Sequence, residues 1–133
     1  MIDISVLTGE RLTYISRAAD MLVLSFGDDI CRNYRGEWLS RYALHCQCAW
    51  RITDGHGKIV LARVDIFSPP EGEDYTLDFD WDVRGNNAFD RKSVEILSGG
   101  EVTVTAARLV NGCDIKLELS NGLRFESFAD SSI

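Results

Sequence analysis

Histidine, proline and long apolar runs are scarce in this chain, and each shortage excludes something. With two histidines among 133 residues, acid–base chemistry would fall to His45, His56 or a carboxylate. No uninterrupted apolar run exceeds that of Met21 to Leu24, which is strand-sized and far short of a membrane span. The opening Met1-Ile2-Asp3 lacks a basic segment followed by an apolar one, so no secretory signal is expected. No Gly-x-Ser-x-Gly elbow and no phosphate-cradling glycine loop occur. Positive charge is also short, with 14 Lys and Arg against 21 Asp and Glu and a formal net charge of -7. That balance argues against nucleic acid or an anionic membrane as direct partner and suits a basic protein partner.

The length fits one domain, residues 1–133, able to bury a core without disulfides. The four cysteines are Cys31, Cys46, Cys48 and Cys113. Without an export signal they are expected to be reduced thiols in a cytoplasm. Cys46 and Cys48 fall on one face of one predicted strand, poor geometry for a bridge between them.

The stretch from Tyr42 to Phe67 carries the strongest pattern. Tyr42, Leu44, Cys46, Cys48, Trp50 and Ile52 alternate with Ala43, His45, Gln47, Ala49, Arg51 and Thr53, the period of a strand with one apolar face. A three-residue loop, Gly55-His56-Gly57, would pair Asp54 with Lys58, Trp50 with Ala62 and Cys48 with Val64. His45, Gln47, Arg51, Arg63 and Asp65 then share the second face. That face reads first as a wet surface, next as a buried hydrogen-bonded network, and last as the lining of a binding site. His45 and Asp65 make the only acid–base dyad, placed diagonally.

Strands are expected over Arg11–Arg17 and Met21–Phe26, with a helix over residues 7–20 as the alternative for the first. Residues 28–37 read as irregular. Ser68 to Asp74, with Pro69-Pro70, is a loop, because adjacent prolines cannot continue a ladder. Tyr75–Val83 alternates and reads as a short edge strand. Asn87 is an N-cap for a helix near residues 88–97, stopped by Gly99-Gly100. Strands follow over 102–110, 114–119 and 123–128, turned by Asn111-Gly112 and Ser120-Asn121-Gly122. The tail from Ala129 is expected to be loose. The sum is an α+β fold, mainly antiparallel β, with about seven strands in a curved sheet or half-barrel and one helix.

Two metal readings fail on spacing. His45 points away from Cys46 and Cys48, and Asp78-x-Asp80-x-Asp82 has Val83 and Phe89 where a calcium loop needs Gly and Glu. No cofactor and no metal are expected. The window 71–82 holds Glu71, Glu73, Asp74, Asp78, Asp80 and Asp82 without a Lys or Arg, supplying -6 of the net -7. These carboxylates are expected at the surface, guarding an edge strand or meeting a basic partner.

The segment Tyr42-Ala43-Leu44-His45-Cys46-Gln47-Cys48-Ala49-Trp50-Arg51-Ile52 resembles a stretch, roughly Tyr-Ala-Leu-His-x-Gln-Cys-x-Trp-Arg-Ile, of an uncharacterised family of small bacterial proteins. Phe79-Asp80-Trp81-Asp82, Gly85-Asn86 with the short helix, and the closing hairpin near Phe128 are similar too. The resemblance runs from about Arg11 onward, with Ala49 departing from an expected proline. It implies a bacterial protein and supplies no activity and no catalytic residue. The expected function is a non-catalytic protein-binding domain, of immunity type by size and charge. The alternative is a small-molecule-binding domain or enzyme using the His45, Gln47 and Arg51 face. The oligomeric state stays open.

Overall fold

The computed structural model describes residues 3–129. The tail expected to be loose from Ala129 therefore lies, beyond its first residue, outside the described range. Among the described residues the fold is α+β, with eight mostly antiparallel strands in two sheets and one α-helix. Strands β1 (Leu12–Ala18), β2 (Met21–Arg32) and β3 (Trp38–Cys46) form a three-stranded meander. The five-stranded sheet has the order β5-β4-β8-β7-β6. Its strands are β4 (Ala49–Thr53), β5 (Ile59–Ala62), β6 (Val104–Val110), β7 (Asp114–Leu119) and β8 (Arg124–Phe128). The sheets do not close into a barrel, which corrects the half-barrel expectation.

The alternating stretch from Tyr42 is not one strand. It breaks at Gln47-Cys48, where the chain leaves the first sheet as β3 and enters the second as β4. Alternation survives the break, so Cys46, Trp50 and Ile52 are all buried. The second arm is shorter than expected: after Ala62 it winds into a 3₁₀ helix, Arg63–Phe67. Near the turn the expected register holds, with Thr53 opposite Ile59 and Asp54 N–H donating to Lys58 O at 2.9 Å. An irregularity between Ile52 and Thr53 then moves it by one, so that Arg51, not Trp50, faces Ala62. The expected Cys48–Val64 pairing is therefore absent, and Val64 is exposed on the 3₁₀ helix.

Residues 9–12 join the two sheets again. Gly9 N–H reaches Val104 O at 2.8 Å, Val104 N–H reaches Glu10 O at 2.9 Å, and Leu12 N–H reaches Val102 O at 2.8 Å. One buried cluster draws on both sheets: Leu22, Leu24 and Phe26 from β2, Ile52 from β4, and Leu117 and Phe125 from the C-terminal strands. Helix α1 (Ala88–Ser98) closes it by inserting Phe89, whose ring meets that of Trp50 edge-on at 5.9 Å. Asn87 caps α1 as predicted, its side chain accepting from Asp90 N–H at 2.7 Å.

Two stretches differ from the expectation. Residues 28–32, expected to be irregular, continue β2 to Arg32, and the β2–β3 hairpin projects with Ile30, Tyr34, Trp38 and Leu39 exposed. Tyr75–Val83, expected to be an edge strand, runs through successive turns. Glu73 N–H bonds to Pro70 O, Phe79 N–H to Thr76 O, Val83 N–H to Asp80 O and Asn86 N–H to Val83 O. Asp80 Oδ1 accepts from Asp82 N–H at 3.0 Å, the local bond by which aspartate bends a chain rather than extending it. Tyr75 pairs locally with Phe79 at 5.6 Å, Trp81 reaches back to Phe67 at the end of the 3₁₀ helix at 4.9 Å, and Leu77 is left fully exposed.

Candidate functional site

The five polar residues expected on one face part company when the strand breaks. Gln47, in the junction, donates through Nε2 to Asp20 Oδ1 at 2.9 Å, and Arg63 donates through Nη2 to Asp20 Oδ2 at 3.0 Å. Asp20, in the β1–β2 turn, thus gathers two of the five. The Gln47 hydrogen bond is the main reason its carboxyl lies below the ordinary range; desolvation opposes it, and the Arg63 contact adds to the lowering. Arg51 lies on the outer face of the five-stranded sheet. It bonds there to Glu126 Oε1 at 3.2 Å, with its guanidinium 5.1 Å from the Phe128 ring. Asp65 accepts from Ala62 N–H at 2.8 Å, capping the 3₁₀ helix, and from Lys92 Nζ at 3.1 Å. His45 stands apart on β3, and no hydrogen bond joins it to Asp65 among the described residues.

Each sheet presents a different outer surface. On the five-stranded sheet, Glu126 bridges Arg51 and Lys116, and Arg124 lies 3.9 Å from Glu118, around a cleft of about 220 Å³. Opposite charges on neighbouring strands satisfy one another there. On the three-stranded sheet, small side chains (Ser16, Val23, Ser25 and Ala43) floor a shallow concavity of about 520 Å³, rimmed by His45 and Trp38 among others.

The acidic window divides as sharply. Glu73 pairs with Arg91 at 2.9 Å and Asp82 with Arg17 at 3.1 Å. Glu71, Asp74, Asp78 and Asp80 are exposed and in no ion pair among the described residues. The Asp78 carboxyl lies below its ordinary pKa, chiefly through a hydrogen bond from the Thr76 hydroxyl.

What sequence reasoning missed is the anchor behind this window. The Arg17 side chain, 2% exposed, reaches from β1 under residues 81–90. Its Nε and Nη2 grip Asp90 at 2.8 and 2.9 Å, Nη1 bonds to Asp82 Oδ1 and Ala19 O, and Nη2 also contacts Trp81 O and Asp82 O at 3.3 Å. The hydrogen bond to Asp90 is the main reason the guanidinium holds its proton even more firmly than usual. At Asp90, burial is the largest influence and opposes ionisation. The Arg17 hydrogen bonds, the Gly85 N–H and the charges of Arg17 and Arg84 outweigh it and lower the pKa. Asn87 Nδ2 adds a bond to Trp81 O at 2.8 Å. A signal was present: Ile15 is buried in β1, and a period of two puts Arg17 on the same inward face.

Among the described residues, no three His, Cys, Asp or Glu side chains gather as a metal ion would require, and no helix is long and apolar enough to cross a membrane. Compared with protein-family models, curated proteins and solved structures, the chain matches none. A functional reading therefore stands on the geometry alone.

Proposed function

We propose that this chain is a non-catalytic protein-binding domain whose contact surface is the loop spanning residues 71–80. The observation that carries the reading is an anchored, outward-facing acidic loop. Its far end is clamped by Arg17 and Asn87, while Asp74, Asp78, Asp80 and Glu71 remain unpaired beside exposed Tyr75 and Leu77. Carboxylates around an exposed aromatic and an exposed leucine suit a basic partner surface with an apolar pocket. The charges would speed encounter and the two apolar side chains would supply anchors. A cationic toxin neutralised by a small acidic immunity protein is one partner of that chemistry, and a bacterial cytoplasm is the compartment such a role implies.

The test is the association rate with a partner isolated by crosslinking to the intact domain. Asp74, Asp78 and Asp80 changed together to Asn should slow association by about tenfold or more at low salt and flatten its salt dependence. Asp82 is left intact because it holds Arg17. Unchanged association of the triple variant would remove the loop from the interface.

A second reading rests on the concavity over the three-stranded sheet. Its size is in the range of small-ligand sites, and His45 and Trp38 at its rim are groups that could orient a ligand. Of the polar face expected from sequence, this site retains His45 alone. A small molecule whose stabilisation of the protein disappears in both His45→Ala and Trp38→Ala would favour it.

A further inference from the structure

The break between β3 and β4 places two thiols side by side. Cys46 ends β3, Gln47 and Cys48 lie outside either strand, and the bend brings the Cys46 and Cys48 Sγ atoms to 3.4 Å. The poor bridging geometry expected of two cysteines on one regular strand does not apply, because this is not one strand. Gln47 is tied the other way, to Asp20, which Arg63 holds in turn. The tripeptide is thus pinned through its middle residue with both sulfurs on one side. Their environments differ: Cys46 is 6% exposed within the core cluster, and Cys48 is half-buried at its margin.

We propose that Cys46 and Cys48 form a reversible dithiol–disulfide site at the junction of the two sheets, closed by exchange with a low-molecular-weight disulfide. Cys48 is the entry thiol, being the accessible one. Its thiolate attacks one sulfur of the external disulfide RS–SR, forming Cys48–S–S–R and releasing one RS⁻. Cys46 then gives its proton to solvent and attacks the Cys48 sulfur, forming the Cys46–Cys48 bond and releasing the second RS⁻. Two protein thiols are oxidised by two electrons, and one external disulfide is reduced to two thiols. Burial, reinforced by the neighbouring Cys48 sulfur, pushes the Cys46 thiol up to about 12, which keeps it from attacking first and makes ring closure the slower step. The site is distinct from the acidic loop and does not depend on the reading of that loop.

The experiment uses the full chain carrying Cys31→Ser and Cys113→Ser, which removes two exposed thiols that would react independently. The native protein is incubated with oxidised glutathione, alkylated and analysed by mass spectrometry. The expected product has lost two hydrogens, carries no glutathione, and yields a Cys46–Cys48 crosslinked peptide. Adding Cys46→Ala should stop the reaction at a glutathione adduct on Cys48, with circular dichroism confirming the fold. A parallel arm needs no further variant: phenylarsine oxide, which bridges two neighbouring thiols, should bind one to one and protect both from alkylation. A persistent glutathione adduct while Cys46 is present would overturn the proposal. So would failure of the native dithiol to react where the unfolded chain oxidises, or failure of the arsenical to bind.

Discussion

The two halves of the segment between Pro70 and α1 are built from the same residues and behave in opposite ways. Residues 81–90 are tied inward at a few points: Asp90 is 7% exposed in its side chain, gripped by Arg17, and Asn87 is fully buried with both its amide oxygen and its amide nitrogen bonded, while residues 82–85 are exposed. Residues 71–80 face outward, with Asp74 and Asp78 unpaired and the apolar Leu77 in solvent. An aspartate's role here is decided by whether a cation approaches it from the core, and only the second half has one. The inward half fixes where the outward half stands.

Removing Arg17 should break the contrast most severely. Arg17→Ala leaves Asp90 buried without its cation and should cost about 3–5 kcal/mol in urea denaturation. Asp90→Asn keeps one possible acceptor for Arg17 and should cost less, about 2–3 kcal/mol. Its pH dependence sharpens the point. The Asp90 pKa is lower in the folded protein than in the unfolded chain. Its contribution is therefore fully present above the unfolded carboxylate's value of about 3.9 and is lost as pH falls through the folded value. The stability gap between wild type and Asp90→Asn should accordingly narrow below about pH 4. Asn87→Ala removes the α1 cap and the bond to Trp81 O together, for about 1–2 kcal/mol, seen as a lower melting temperature. The triple change of Asp74, Asp78 and Asp80 to Asn should move stability by no more than about 0.5 kcal/mol. A large loss in that variant would mean the outward half holds the fold after all.

Local chemistry was readable where one element decides it. The Asn87 cap, the β6–β7 hairpin at Asn111-Gly112 and the inward set Cys46, Trp50 and Ile52 stand where residue pattern and turn chemistry put them. The change of sheet at Gln47 was not readable, because a chain can pass from one sheet to another without losing its period of two, and nothing in the alternation marks the passage. Tyr75–Val83 shows the converse. Alternation between Asp and apolar residues imitates a strand, but the local aspartate bond at Asp80 and the close aromatic pairs organise turns instead. The dispersal of His45, Gln47, Arg51, Arg63 and Asp65 follows from that one unseen break and the 3₁₀ helix after Ala62. Asp20, which collects Gln47 and Arg63, lies in a different hairpin, so no local pattern could pair it with them.

The strand order of the larger sheet should also set which contacts form last during folding. Strands β1, β2 and β3 are neighbours in the chain as well as in space, so the meander needs only short loops to form. The larger sheet cannot assemble that way. β8 lies between β4 and β7, with Ala49 opposite Phe128 and Lys116 opposite Glu126. Until Arg124–Phe128 arrives, the β4–β5 and β6–β7 hairpins have no strand between them, and the loop closed by that arrival is among the longest in the molecule. Before that strand docks, the β8-facing edge of β4 has no partner and the core lacks Phe125, whose ring lies 6.4 Å from that of Trp50. Folding speed should therefore be set less by the long β2–β3 hairpin than by the docking of this short strand.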